Sequence, residues 1–575
     1  MHVFKQLVSK ILDFGLVAYK HPIETIILTL TLPFMHFVYL GKLEHSIVFI
    51  GVKAISYLFM GYFWACLMLS VTDWMGNVSK AVGRVLRGLF LALAIIIFVT
   101  DIFLLYKFDA IFDPAKISIM LGVDPETIRE FWIAYIISPV SVLVILSVVV
   151  IGIVVYKYRD KISFEIPGKF YNLSRYCFVV SLVIFISLGV KNAKTMRTLI
   201  DTNPIYTTSS INRVVIDTYR AWIAFGSEGE IFAAMDNNPE SIIENNGDIP
   251  YVVFILGESA DRNKMHGYGY SLENTPFLDN LLNRGEAVAF TDTLAPANST
   301  TFAMEYIFTF YEKEDTGKWF ENQNLIDIFG KSGYYTTWVS NQSPRNINGN
   351  MDEVLAKRSH QSRFTSYSSS ENRPYDEEVL PLLDNCLRDF TAEKQFYVIH
   401  IQGSHGVYKL RYPKAFAKFH AADEQESNPK WAVVKAEYDN TFLYTDYLME
   451  EIIKRFADKD CLLVYLSDHG NEVYDGRDFC GHSGENLRNR HMVEIPFVVW
   501  GSEKFWAKRP ELKQRVFEAK DRPFMTDDFI HFLLDITGIK TTSYDPTKSV
   551  INDNFNGKRV RMYGGQPYEK QKDTN

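Results

Sequence analysis

The sequence predicts a two-part protein: a bundle of five membrane-spanning helices, then an α/β domain whose central, mostly parallel sheet is flanked by helices. Three observations predict this. The first 190 residues hold five long apolar runs while the remainder has ordinary composition, and 575 residues exceed a single ordinary core. After residue 250, short apolar runs alternate with amphipathic segments, the pattern of strands and covering helices. Finally, two short runs end alike: Tyr251–Gly257 leads into Glu258-Ser259, and Cys461–Ser467 leads into Asp468-His469-Gly470. A buried parallel strand delivering polar side chains at its C-terminal end has this form, and open α/β sheets place their sites at that edge. The expected domains are 1–190, an interfacial connector 191–247, and 248–575.

The candidate spans are 22–40, 46–72, 86–106, 132–156 and 170–190, each near the ~20 helical residues that cross a hydrocarbon layer of about 30 Å. Orientation follows from Lys and Arg in the loops. Lys5, Lys10 and Lys20, then Lys80, Arg84 and Arg87, then Lys157, Arg159, Lys161, Lys169 and Arg175 lie on one side, eleven against seven on the other. This places the N-terminus in the cytoplasm, and an odd number of spans puts the chain beyond residue 190 outside. The first twenty residues lack a clean apolar stretch ending at small residues, so no cleavable leader is expected. Asp101, inside the third span, is costly unless it packs against neighbouring helices, lies at the interface, or contacts a lipid head group. The loop 108–131 contains Asp124-Pro125-Glu126, a helix start expected on the outer face of the membrane. Residues 191–247 mix helical periodicity with polar breaks such as Asn245-Asn246-Gly247, as a connector resting on the bilayer would.

In the outer domain the expected strands are Tyr251–Gly257, Tyr335–Ser340, 396–402, Cys461–Ser467 and 495–500, with helices over 275–282 and 435–456 between them. A net charge of −8 without a clustered basic face excludes nucleic acid as a partner. Cys66 and Cys177 fall in spans, and Cys386, Cys461 and Cys480 are an odd set, so no disulfide framework is implied.

Glu258, Asp468 and His469, offered by two strand ends, make an oxygen and nitrogen donor set suited to zinc. A lone acid after a strand is also a common helix cap. Gly470 is expected to let the chain turn sharply after the ligands. The stretch 295–304 runs from Pro296 through small polar residues into an apolar run, so a hydroxyl there sits at a helix N-terminus, which favours anions. Ser299 or Thr300 could equally serve only as an N-cap. His405 and His482 stand in glycine-flanked loops, Gly403-Ser404-His405-Gly406 and Gly481-His482-Ser483-Gly484. Either could bind phosphate, hold a second metal or protonate a leaving group.

The segment Gly257-Glu258-Ser259-Ala260-Asp261-Arg262-Asn263-Lys264-Met265, with Gly267-Tyr268-Gly269-Tyr270 and Asn274-Thr275-Pro276, resembles the opening motif of the bacterial phosphoethanolamine transferases, in the alkaline phosphatase and sulfatase superfamily. Five spans followed by an external α/β domain is similar to their whole layout. The resemblance implies that Glu258, Asp468 and His469 bind zinc, that Thr300 is a nucleophile touching the zinc, and that His405 and His482 face substrate. Asn341, after the strand Tyr335–Ser340, corresponds to a polar residue of the donor site. Ala297-Asn298-Ser299-Thr300-Thr301 lacks the cysteine of the family's Ser-Cys-Gly-Thr pattern, which leaves Thr300 and Thr301 both open as nucleophile. Residues 121–131 match the family's external loop only in part.

The implied activity is zinc-dependent transfer of phosphoethanolamine from phosphatidylethanolamine to an envelope glycolipid or glycan, lipopolysaccharide lipid A or core above all, through a phosphothreonine. One zinc is implied, with room for a second. The implied location is the bacterial inner membrane, multi-pass, with the catalytic domain periplasmic. The alternatives are a manganese-using glycerol phosphate transferase of the lipoteichoic acid synthase type, a membrane-anchored phosphodiesterase or sulfatase, and a noncatalytic protein with a decayed site.

Overall fold

The computed structural model describes residues 12–31, 33, 47–108, 146, 168, 170–193, 228–237, 241–342, 351–365, 374–482 and 489–569. The chain divides into two compact units, Met1–Ser118 with Pro139–Ile223 and Ile119–Ser138 with Ala224–Asn575.

In the first unit the described helices include Pro22–Thr31, Ile47–Val78, Lys80–Phe108 and Phe170–Ala193. Two stretches, Ala54–Val78 and Lys80–Phe103, are long and apolar enough to cross a membrane, while Pro22–Thr31 and Phe170–Ile184 are apolar but shorter. The expected fourth span, 132–156, lies outside the described residues apart from Leu146. The described residues therefore show two full-length spans where five were expected. The loop expected around Lys80 to Arg87 is a correction: only Ser79 separates two helices, and the basic residues occupy the first turns of the second. Glycine permits the sharp reversal, since a Cβ on Gly83 would lie 2.7 Å from both the Gly76 Cα and the Thr72 carbonyl oxygen. Arg87 has a structural use, donating to Asp73 Oδ1 at 3.1 Å and to His21 Nδ1 at 2.9 Å, while His21 Nε2 reaches the same carboxylate at 2.8 Å. Asp101 is fully buried, as a helix-packing role requires.

In the second unit seven strands form one sheet. In chain order they are β1 (Tyr251–Gly257), β2 (Ala287–Ala289), β3 (Tyr335–Ser340), β4 (Gln361–Phe364), β5 (Gln395–His400), β6 (Cys461–Ser467) and β7 (Phe497–Gly501). Across the sheet they run β2, β7, β6, β1, β5, β3, β4. The five from β6 to β4 are parallel, while β7 runs antiparallel to both β6 and β2, so the sheet is mixed. The short strands β2 and β4 escape a hydrophobicity reading, since Gln361–Phe364 carries only one large apolar residue.

The alternation along β1 explains why it is apolar throughout. Val252, Phe254 and Leu256 join one core with Phe308, Phe529 and Phe532, while Val253 and Ile255 join another with Leu278, Phe442 and Ile452. Both faces are therefore covered, as a central parallel strand demands. The first face packs against helices Thr300–Ile307 and Phe529–Thr537, the second against Pro276–Asn283, Val379–Asp389 and Pro429–Phe456. Within the expected connector, Ile242–Asn245 pairs antiparallel with Ile539–Thr541, and Ile231 and Met235 of helix Glu228–Asn237 pack with Phe320 and Val354. These residues add to the second unit.

Candidate metal centre and active site

Strands β1 and β6 pair in register, Leu256 opposite Leu466 and Gly257 opposite Ser467, so the residues that follow emerge side by side. Glu258 and Asp468 do so fully buried, at 1 % and 0 % exposure. Ser259, next after Glu258, adopts the left-handed conformation with φ 58°. For a non-glycine residue this costs about 1–2 kcal/mol. Two hydrogen bonds to the acids offset it, each charge-assisted and worth roughly 1.5–3 kcal/mol: the Ser259 N–H donates to Asp468 Oδ1 at 3.0 Å, and its hydroxyl to Glu258 Oε1 at 2.7 Å. Ser467 completes the join, accepting from the Ala260 N–H at 2.9 Å and donating to the His469 carbonyl at 2.8 Å.

His469 lies in the same pocket, with Nε2 3.3 Å from Glu258 Oε1 and 3.4 Å from Asp468 Oδ2. Its Nδ1 is 2.9 Å from the Gly470 carbonyl, which can only accept. The proton is therefore on Nδ1, and the Nε2 lone pair faces the carboxylates. Gly470 serves a different purpose from the one expected. It lies outside the left-handed region, and glycine is needed because a Cβ would collide with the His491 carbonyl oxygen.

Thr300 opens helix Thr300–Ile307, and its Oγ1 lies 2.9 Å from Glu258 Oε2 and 3.4 Å from His469 Nε2. Ser299 holds the N-cap position but makes no side-chain capping bond. The hydroxyl drawn to the acid cluster is thus that of Thr300. His482 packs against His469 with ring centroids 4.2 Å apart, and its Nδ1 meets Asn471 Oδ1 at 2.9 Å. His405 follows β5 in a loop tied to the site by a Ser404 N–H bond to the Glu258 carbonyl at 2.9 Å. Asn341 is buried and engaged elsewhere: its amide donates to Asp376 Oδ1 at 2.8 Å and to the Pro374 carbonyl at 3.0 Å. Asp376 also accepts from the Gln402 and Gly403 N–H groups at 2.8 and 2.9 Å, so Asn341 helps bracket the loop that carries His405.

The electrostatics describe a pocket short of positive charge. Burial pushes the Asp468 carboxyl up to about 7, and the neighbouring Glu258 charge adds to it. Burial opposes ionisation of Glu258 as well, but the bond and charge of His469, with His405 and Ser259, hold it well below the usual range. His469 would be lowered by burial, yet Asp468 and Glu258 raise it to about 9. A proton there stands where a cation would. Asp468 Oδ2 is buried without a hydrogen-bond donor, and one donor atom from each of Glu258, Asp468 and His469 lies within 4.8 Å of the others. Two carboxylates and an inward imidazole lone pair fit zinc, with the Thr300 hydroxyl beside them.

A second cluster meets the same spacing: Glu312, Asp528 and His531. Its chemistry differs. The Asp545 N–H donates to His531 Nδ1 at 3.1 Å, so a neutral imidazole carries its proton on Nε2, which is buried without a hydrogen-bond partner. Burial, with Lys548 nearby, lowers His531 to about 3 and so keeps it neutral. Lys548 already pairs with Glu312, and Arg559 bonds Asp528 at 2.7 Å, Asp527 at 2.5 Å and Glu314 at 2.6 Å. Both clusters are candidates for a metal; the first is the better one, because the carboxylates of the second are already paired with Lys548 and Arg559.

Sequence reasoning missed Ser259, Ser467 and Asp376. Ser259 lies within the quoted motif, but nothing in a serine signals a left-handed backbone.

Comparison with known proteins agrees with this geometry. Residues 250–539 match the sulfatase family. The phosphoethanolamine transferase EptC of Escherichia coli is 32% identical over 329 residues, 56% of this chain and 56% of that protein. CptA of Salmonella typhimurium, a phosphoethanolamine transferase, is 30% identical over 350 residues, 57% of each. The chain thus spans a little over half the length of these curated relatives. The crystal structure of the C-terminal periplasmic domain of E. coli EptC in complex with Zn superposes with a TM-score of 0.51 at 29% identity, covering 57% of this chain and 94% of that one. The integral membrane protein lipooligosaccharide phosphoethanolamine transferase A of Neisseria meningitidis shares the fold over 94% of this chain and 97% of its own, with a TM-score of 0.62 at 19% identity. With half its length matched, and with homology running to the bacterial phosphoethanolamine transferases, the chain belongs to the sulfatase family.

Proposed function

We propose that this chain transfers phosphoethanolamine from phosphatidylethanolamine to an acceptor of the bacterial envelope, lipid A or core of lipopolysaccharide, by way of a phosphorylated Thr300. The observation that carries this reading is the placement of the Thr300 hydroxyl, 2.9 Å from Glu258 and 3.4 Å from the inward nitrogen of His469. A zinc ion held by Glu258, Asp468 and His469 would lower the pKa of that hydroxyl and offset charge on the phosphoryl oxygens. Thr300 Oγ1 then forms the new bond to phosphorus as the bond to the diacylglycerol oxygen breaks, with the proton passing to the departing alkoxide. In the second half an acceptor oxygen forms the bond to phosphorus as the bond to Thr300 Oγ1 breaks, and the acceptor's proton, passed through a base, restores the Thr300 hydroxyl.

His482 suits proton transfer in that half. Its Nδ1 donates to Asn471, which leaves the Nε2 lone pair to take a proton from the acceptor. His405, in the neighbouring loop, balances charge on the phosphoryl group. Two apolar helices long enough to span a bilayer support an inner-membrane protein with this unit on the periplasmic side, where tethering keeps the site close to a lipid donor.

Mass spectrometry of the full-length protein in detergent with phosphatidylethanolamine tests the proposal. A phosphoethanolamine adduct is expected on the Thr300 peptide, kept in Thr301→Ala and lost in Thr300→Ala. An adduct on Thr301 would overturn the residue assignment. Head-group transfer from phosphatidylglycerol alone would overturn the donor.

A further inference from the structure

We infer that Ser259 is a positioning residue for the metal: its hydroxyl fixes which face of the Glu258 carboxylate meets the cation, while its N–H orients Asp468. This rests on the zinc reading of the Glu258, Asp468 and His469 cluster. Three contacts converge on one residue. The hydroxyl donates to Glu258 Oε1 at 2.7 Å, leaving Oε2 to Thr300. The backbone N–H donates to Asp468 Oδ1 at 3.0 Å, leaving Oδ2 buried without a donor. The carbonyl accepts from the Tyr438 hydroxyl at 2.7 Å, and the same hydroxyl accepts from the Asp261 N–H at 3.0 Å.

Ser259 thus holds one oxygen of each acid and shares both with His469: Glu258 Oε1 also lies 3.3 Å from His469 Nε2, and Asp468 Oδ1 also accepts from the His469 N–H at 2.7 Å. Without the hydroxyl, Glu258 could rotate and present either oxygen, so part of the binding free energy would go into ordering it. The left-handed backbone is what lets one residue reach both acids. At φ 58° the N–H and the side chain of Ser259 address carboxylates that come from different strands. Glycine takes this conformation without strain and serine tolerates it, whereas a β-branched residue is an outlier there. Backbone and hydroxyl can therefore be separated by substitution.

The test uses full-length protein in detergent, stripped of metal. Zinc affinity is read by competition with a fluorescent chelator, and the melting temperature of the metal-free protein is read alongside. Ser259→Gly removes the hydroxyl and the strain together. It is expected to weaken zinc binding by roughly 10–100-fold while the metal-free protein melts close to wild type, the lost hydrogen bond and the relieved strain being of similar size. Ser259→Thr keeps the hydroxyl and adds strain, so zinc affinity is expected to stay within about threefold while melting falls. Ser259→Gly binding zinc as tightly as wild type would overturn the inference. So would affinity and melting temperature moving down together in both variants, since that is how a merely structural residue behaves. Wild-type protein that takes up no stoichiometric zinc would overturn the zinc reading itself, and this inference with it.

Discussion

Among the described residues, the second unit holds two clusters of one glutamate, one aspartate and one histidine whose donor atoms lie within 4.8 Å of one another, and they are equipped differently. In the first, the imidazole donates outward to the Gly470 carbonyl and turns a lone pair inward. In the second, Nδ1 of the imidazole accepts from the Asp545 N–H, so the neutral ring carries its hydrogen on Nε2. The counterions differ as well: Arg559 and Lys548 pair with the second cluster, while the ion pairs of Glu258 and Asp468 run to His469. Residue type and distance are thus insufficient to identify a metal site. The partners of the imidazole and of the carboxylates separate the two.

The largest expected effect that would break this contrast is on turnover. Thr300→Ala or His469→Ala should lower phosphoethanolamine transfer by on the order of 10³-fold or more, whereas His531→Ala should leave it within a few fold, measured with a fluorescent phosphatidylethanolamine. Equal losses would mean that the second cluster takes part in the chemistry.

Zinc content is the next test. His469→Ala should lose stoichiometric zinc by elemental analysis, and His531→Ala should keep one ion per chain. A wild-type stoichiometry of two would show that the second cluster holds a metal as well.

Proton competition sharpens the comparison further. His469 sits at about 9 and Asp468 at about 7 in the metal-free cluster, so zinc must displace protons there. Affinity should rise with pH, steeply through about pH 7 and more gently up to about 9. A titration flat across that window would contradict the assignment.

The smallest effects lie in stability. Arg559→Ala strands Asp527 and Asp528 and should cost about 3–5 kcal/mol by chemical denaturation of the metal-free protein. His531→Phe keeps a planar ring, slightly larger, and removes one acceptor, so it should cost at least about 1 kcal/mol.

What could be foreseen in the sequence follows from where the information is local. Glu258 and the Asp468-His469 pair were legible because each ends an apolar run, and β1 and β6 lie exactly where those runs do. The helix start at Thr300 was legible to within one residue, since a proline loop entering an apolar run marks one; the contact of the Thr300 hydroxyl with Glu258 has no linear signal. The second cluster was invisible because Glu312 comes from a segment far along the chain from the Asp528 and His531 pair, which forms no motif of its own. Asn341 was found by position, at the end of β3, although its amide is spent on Asp376. The reversal at Ser79 has no signal in the sequence, because basic residues between two apolar runs read equally as a loop or as the helical turns whose Arg87 reaches Asp73 and His21.

Gly257 stands level with Ser467 across two adjacent parallel strands. A one-residue insertion or deletion within either strand would move its acid by about 3.3 Å and reverse the side-chain alternation. Changes in chain length during evolution are therefore excluded from these two strands and diverted to the loops elsewhere, so lineages of this protein can differ greatly in outline while this pair of strands keeps a constant length.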